Sequence, residues 1–235
     1  MKIVSFTICP FVQRVTALLE AKNINYDIEY INLNDKPQWF LDISPNGQVP
    51  LLITDGGAAL FESDAIVEYI EEITKPLETE VTPEQRALDR AWSYMATKHY
   101  LVQCSTMRSA DKATYGERSD KLNKAFAKVE SALSDGPFFK GTMLSNVDIA
   151  WLPLLHRAKI VAQHSHIDPL EAFPKVKAWQ QALAQTPLFE KSVADSFEEK
   201  LIDFYLSEKT YLGQGNNALG KCMTTNQQAV NASCC

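Results

Sequence analysis

The sequence predicts a small α/β domain with a mixed sheet followed by an all-helical domain, and three observations carry that reading. Within the first 76 residues, short β-branched runs alternate with helical patterns and then close on a hairpin signal. Beyond residue 82 the apolar spacing is helical throughout. Charge divides the chain at the same place: residues 1–76 hold five Lys/Arg against eleven Asp/Glu, and the remainder holds 18 of each, so the whole net charge of −6 lies in the first segment. A chain of 235 residues with 46% hydrophobic content is long enough for two small domains. The expected division is residues 1–76, residues 77–212 and a polar, flexible C-terminal tail over 213–235.

Lys2-Ile3-Val4-Ser5-Phe6 is short, β-branched and aromatic, as a buried strand is. A helix follows, with Phe11, Val12, Val15, Leu18 and Leu19 at helical spacing and Pro10 suited to the first helical position, where its missing N–H has no partner to lose. Tyr26 to Ile31 alternates with a period of two and reads as the second strand, and residues 37–41 read as a short helix. Asn46-Gly47 turns the chain into an apolar strand that starts on Pro50, Asp55-Gly56-Gly57 is a hairpin turn, and Ala58 to Phe61 returns. Ser63 reads as the N-cap of a helix carrying Ile66, Val67, Ile70 and Ile73. The order βαβ and then ββα implies a mixed sheet.

Residues 74–81, around Pro76, read as a linker. Thr82-Pro83-Glu84-Gln85 is a capping-box sequence with proline at the first helical position. The helix it opens places Leu88, Ala91, Trp92, Met95 and Val102 on one face. The next places Leu122, Phe126, Val129 and Leu133 together, until Asp135-Gly136-Pro137 stops it. Ser145 and Asp148 are spaced to cap each other's backbone, with Leu144 and Ile149 at the staple positions, which makes Asp148 a folding signal rather than a general base.

Chemistry concentrates at Cys9, which the pattern puts at the N-cap of the first helix. There its sulfur would accept hydrogen bonds from the amides of Phe11 and Val12 while the helix dipole adds partial positive charge. A dipole contribution of about 1 kcal/mol moves a thiol pKa from about 8.5 toward about 7.7, raising its thiolate fraction at neutral pH from about 3% to about 15%. The competing reading of an isolated cysteine is a small buried hydrophobe. Val12 stands where a dithiol motif would put its second sulfur, so a monothiol reaction at Cys9 needs its second sulfur from outside.

Other classes fare worse. The five cysteines, at 9, 104, 222, 234 and 235, form neither a disulfide framework nor a Cys-rich zinc pattern and fit a reducing cytoplasm. No apolar run reaches membrane-span length, and no secretory leader is expected. An acidic first segment and a balanced second one lack the basic footprint of a nucleic-acid binder. His164, His166 and Asp168 lack a separated third-ligand motif and read as a polar loop, so no metal is expected. Trp92, Tyr94 and Tyr100 read as core aromatics, and Cys104 as buried and inert. A prenylation box would need a cysteine where Ala232 stands.

Cys9-Pro10-Phe11 with Arg14, Asn32-Leu33 followed by Lys36-Pro37 and Trp39-Phe40, Gly47-Gln48-Val49-Pro50, and Glu62-Ser63 stand in this order ahead of the helical half with its Ser145–Asp148 box. Together they resemble the glutathione transferase superfamily, most closely its cysteine-type, omega-like class, over residues 1–212. The resemblance implies a thioredoxin-like N-terminal domain (βαβ-α-ββα) and an all-α C-terminal domain. Glutathione is the implied co-substrate. A cis Val49–Pro50 bond would present the Val49 backbone to its cysteinyl portion, Ser63 and Glu62 would take the carboxylate and ammonium of its γ-glutamyl end, Lys36 would meet its glycyl end, and Phe11 would pack near the sulfur. Apart from the match, these residues read as a strand start, a helix cap, a solvated lysine and a core aromatic.

The implied enzyme is a glutathione-dependent thiol transferase or reductase that works through a Cys9–glutathione mixed disulfide, with dehydroascorbate-type acceptors and weak conjugation of electrophiles beside it. Members of the superfamily that use the fold for protein or membrane association with little catalysis supply the alternative reading. Retention on immobilised glutathione separates the two. A cytoplasmic homodimer is the family expectation; the sequence does not identify the second substrate.

Overall fold

The computed structural model describes residues 1–214. Most of the expected flexible tail, with Cys222, Cys234 and Cys235, lies outside the described residues, whereas Gly213 and Gln214 are docked, Gln214 Nε2 donating to Ala110 O at 3.0 Å.

Four strands, β1 (Lys2–Ser5), β2 (Asp27–Tyr30), β3 (Leu51–Ile53) and β4 (Ala59–Phe61), form one sheet in the order β2-β1-β3-β4. β1 runs parallel to β2 and antiparallel to β3, with Val4 opposite both Glu29 and Leu51. The parallel pair requires a crossover, and α1 (Pro10–Ala21) provides it; the antiparallel β3–β4 pair closes through the Asp55-Gly56-Gly57 turn. β1 is buried from Ile3 to Ser5, while edge strand β2 is largely exposed and carries Glu29, bonded to Lys2 at 2.8 Å, as a charged edge should. α2 (Gln38–Ile43) anchors through buried Phe40, and α3 (Ser63–Ile73) packs beside α1.

The helical half contains α4 (Pro83–Met107), α5 (Lys112–Ala132), α6 (Asn146–His164), α7 (Pro174–Ala184), α8 (Leu188–Lys191) and α9 (Phe197–Tyr205). α6 is buried almost all round, as a helix apolar on every face should be, and packs against α4, α1 and α7. Its start is the expected capping box. Ser145 Oγ accepts from Asp148 N at 3.4 Å, and Asp148 Oδ2 accepts from Ser145 N at 2.8 Å. Asp148 further accepts from Phe139 N at 2.8 Å and Trp179 Nε1 at 2.6 Å, so one carboxylate ties the α5–α6 loop and α7 to α6. Burial nevertheless pushes its carboxyl up from the ordinary range.

Three local expectations are corrected. The buried face of α4 is Asp89, Ser93, Ala96, Thr97, Tyr100, Gln103, Cys104, Thr106 and Met107, whereas Leu88 on the expected face is 56% exposed. Hydrophobicity misplaces this face because its polar residues find partners across the interface: Asp89 meets Lys140 Nζ at 2.6 Å, Gln103 Nε2 donates to Leu154 O at 2.9 Å, and the Tyr100 hydroxyl donates to Ala150 O. At Thr82 the cap is one-sided. Its hydroxyl accepts from Gln85 N at 3.2 Å, but the Gln85 amide turns forward to Asp89 at 2.9 Å. Ser63 is the first helical residue rather than the N-cap, which is Glu62.

Candidate active site

The β1–α1 turn delivers Cys9 to the N-cap of α1, where its N–H donates to Phe6 O at 3.0 Å. The expected cap hydrogen bonds to the sulfur are not formed. Its side chain turns instead across the turn, placing Sγ 3.9 Å from Val49 O. Of the two contributions that would favour a thiolate, the helix N-terminus stands and the amide hydrogen bonds do not. Cys9 is 3% exposed and disulfide-bonded in this structure, so its thiol chemistry belongs to the reduced protein.

Beside this sulfur opens a cleft of about 90 Å³. Val49 and Pro50, joined by a cis bond, line it together with Phe11, Glu62 and Ser63. Asn46, Gln48 and Leu101 complete the walls. Phe11 is held edge-to-face on Tyr100, with ring centroids 5.0 Å apart. Glu62 sits in the left-handed region at φ 66°, a conformation that costs about 1–3 kcal/mol and collects at functional sites. Its carboxylate accepts from Asn46 Nδ2 at 3.0 Å. The next residue, Ser63, opens α3, whose positive end therefore lies at the cleft. Buried Arg14 of α1 pairs with Asp64 and fixes that first turn.

Four of the six expected site residues, Phe11, Val49, Glu62 and Ser63, thus share one cleft, and Cys9 adjoins it through Val49. Lys36 does not line it. Its Nζ donates to Gly47 O at 2.7 Å, bracing the turn at which Gly47 takes φ 61°. Asn46, Gln48 and Leu101 are not among the expected site residues: Gln48 stands in the Gly47–Pro50 motif without a role assigned to it, and a turn asparagine and an exposed helix leucine carry no distinguishing signal.

Also unforeseen is a buried polar network behind Cys9. Arg157 of α6 donates to Ile8 O at 2.9 Å, to Gln13 Oε1 at 2.6 Å and to Pro153 O at 2.9 Å. Gln13 Nε2 in turn lies 2.8 Å from His156 Nδ1, and the His156 ring stacks on Phe189 with centroids 4.5 Å apart. The helical half therefore holds the carbonyl immediately before the candidate nucleophile. Among the described residues, no three His, Cys, Asp or Glu side chains converge as a metal site. His164 meets Glu198 at 2.8 Å, and Asp168 pairs with Lys177.

Comparison with known proteins adds an independent line. Residues 8–73 match the family model described as glutathione S-transferase, N-terminal domain, and residues 75–187 match glutathione S-transferase, C-terminal domain. The chain is 30% identical over 200 residues to glutathione S-transferase omega-1 of Rattus norvegicus, covering 83% of this chain and 81% of that one. It is 31% identical over 193 residues to glutathione S-transferase DHAR2 of Arabidopsis thaliana, covering 79% and 84%. Among solved structures, glutathione transferase Omega 3C from Trametes versicolor superposes with a TM-score of 0.71 at 28% identity, covering 83% of this chain and 89% of that chain.

Proposed function

The chain belongs to the glutathione S-transferase family, and on that premise we propose that it is a glutathione-dependent thiol transferase whose nucleophile is Cys9. The observation that carries this reading is the meeting of Cys9 Sγ and the Val49 carbonyl beside the cleft that ends at Glu62 and Ser63. Among the described residues Val49 N–H meets no acceptor, which leaves it to bond the cysteinyl carbonyl of an extended glutathione as a strand edge bonds a peptide. The γ-glutamyl carboxylate suits Ser63 and the positive end of α3, and its ammonium suits Glu62. Lys36 serves the glycyl end by shaping the Gly47 turn, and Phe11 shields the sulfur.

Once Cys9 is reduced, its thiolate attacks the glutathionyl sulfur of a mixed disulfide RS–SG. A Cys9–SG bond forms, the RS–SG bond breaks, and RS⁻ leaves and takes a proton. A second glutathione thiolate then attacks the glutathionyl sulfur of Cys9–SG, releasing the Cys9 thiolate and glutathione disulfide. Dehydroascorbate-type acceptors fit the same site, since two glutathiones supply the two electrons and two protons of their reduction. Weak conjugation of electrophiles by the bound glutathione thiolate runs beside it. No helix among the described residues is long and apolar enough to cross a membrane, and a cytoplasmic setting suits the reducing chemistry. A homodimer is expected, with exposed Phe61, Leu88, Tyr94 and Leu101 supplying apolar area; light scattering reads the assembly.

The decisive experiment uses pre-reduced protein and a cysteine–glutathione mixed disulfide. Cys9→Ser should lower the transfer rate at least about 100-fold, because an alkoxide is not available at neutral pH. Wild-type Cys9 should alkylate with a midpoint below about 8.5 and be protected by glutathione. A full rate in the serine variant, or an ordinary midpoint without protection, defeats the proposal.

A further inference from the structure

Cys9 carries a disulfide, although Val12 denies it a second sulfur within its own motif. Cys104, the other cysteine among the described residues, is a buried thiol in a separate apolar cluster and is not the partner. The chain's remaining sulfurs are Cys222, Cys234 and Cys235, which stand 8, 20 and 21 positions beyond Gln214. A disulfide in a reducing setting is characteristically a transient step of catalysis or redox sensing, and this one occupies the proposed nucleophile.

The last described residues lie on the Cys9 side of the helical half. Leu206 and Leu212 share one buried cluster with Ile8, the residue before Cys9, and with Met107 and Val161. Within it, Arg157 holds the Ile8 carbonyl at 2.9 Å, and Val161 follows one turn along α6, a rise of about 6 Å. Tyr211 N–H donates to Ser109 O at 2.8 Å and Gln214 Nε2 to Ala110 O at 3.0 Å, which fixes this end of the chain beside the end of α4. Eight residues extend to about 26 Å, so Cys222 as well as the final pair has the length to reach the β1–α1 turn.

We propose, on the reading of Cys9 as nucleophile, that a cysteine of residues 215–235 is its internal resolving thiol. After RS–SG has left its glutathionyl group on Cys9, the tail thiolate attacks Cys9 Sγ. The disulfide between Cys9 and the tail forms, the Cys9–SG bond breaks, and GS⁻ leaves and takes a proton. RS–SG is thereby reduced to two thiols, and the two protein thiols are oxidised to one disulfide. Two glutathiones then reduce that disulfide and leave as glutathione disulfide. A thiol tethered by a short chain acts at about millimolar effective concentration, so the internal step outruns a second glutathione wherever free glutathione is scarcer than that.

The test mixes the pre-reduced full chain with one equivalent of cysteine–glutathione mixed disulfide, without free glutathione, and follows intact mass and non-reducing peptide maps. Wild type should release both cysteine and glutathione, retain no glutathionyl group, and yield a peptide pair that joins Cys9 to a tail cysteine. With Cys222→Ser, Cys234→Ser and Cys235→Ser combined, the glutathionyl group should stay on Cys9 and be released at least about tenfold more slowly. Cys104→Ser should behave as wild type. A wild-type chain that keeps the group on Cys9, a combined variant that sheds it at the wild-type rate, or a Cys104→Ser chain that retains it overturns the internal step while leaving Cys9 as nucleophile. A chain whose Cys9 never takes the group overturns the thiol-transfer reading as well.

Discussion

The protonation of His156 follows from its neighbours. Arg157 Nη1 occupies Gln13 Oε1, so the Gln13 amide must present its Nε2 to His156, and the Nδ1 it meets at 2.8 Å accepts. The ring is therefore neutral with its proton on Nε2. Burial, reinforced by the Arg157 and Lys159 charges, pushes its pKa down to about 3. In the unfolded chain the ordinary value is about 6.5, so between those limits the unfolded state binds a proton that the folded state refuses. Stability is complete above about pH 6.5 and falls as the pH drops toward 3. Urea unfolding should show a loss of about 2 kcal/mol between pH 7 and pH 5 from this residue, and His156→Gln should flatten that part of the slope.

Among the elements, α6 shows most directly how a short sequence signal becomes a tertiary anchor. The Ser145–Asp148 box satisfies orphan amides at the helix start, and the same carboxylate then holds Phe139 and Trp179. Ser145→Ala should cost about 1–2 kcal/mol in urea unfolding, since a cap and a partner of a buried carboxylate are lost together. Thiol transfer by the folded fraction should be unaffected. α5 buries Leu122, Phe126 and Val129, the face its spacing predicts, because apolar side chains meet apolar neighbours there. α4 does not, because Asp89, Tyr100 and Gln103 are drawn inward by partners on α6 and in the loop before it, which no local pattern contains.

At the scale of the molecule, the two halves are joined where the chemistry is proposed. α1 packs against α3 on one side and α6 and α8 on the other, and Arg157 reaches from α6 to the Ile8 carbonyl beside Cys9. Arg157→Met would strand that carbonyl and Gln13 Oε1 in the interior. We expect about 3–5 kcal/mol of destabilisation in urea unfolding. Under conditions where the variant is still folded, the thiol-transfer rate should fall as well, because the turn carrying Cys9 loses its brace. An unchanged rate would show that the turn holds itself.

What the sequence determined by itself is local. Strand alternation, proline at helix starts, the hairpin glycines and the Ser145–Asp148 box set the element order and mixed sheet, since each acts within a few residues. The pattern from Cys9 to Ser63 likewise named five of the residues now found in or beside one cleft. Tertiary structure decided the rest. It turned the Cys9 sulfur toward Val49 instead of its own helix, set Lys36 behind the Gly47 turn and buried the polar face of α4. It also ran Arg157 and Gln13 together behind the candidate nucleophile. Those outcomes depend on contacts 40 positions away for Cys9 and 144 and 149 positions away for Arg157, and a buried polar group settles where its partner is, which the spacing of its neighbours cannot encode.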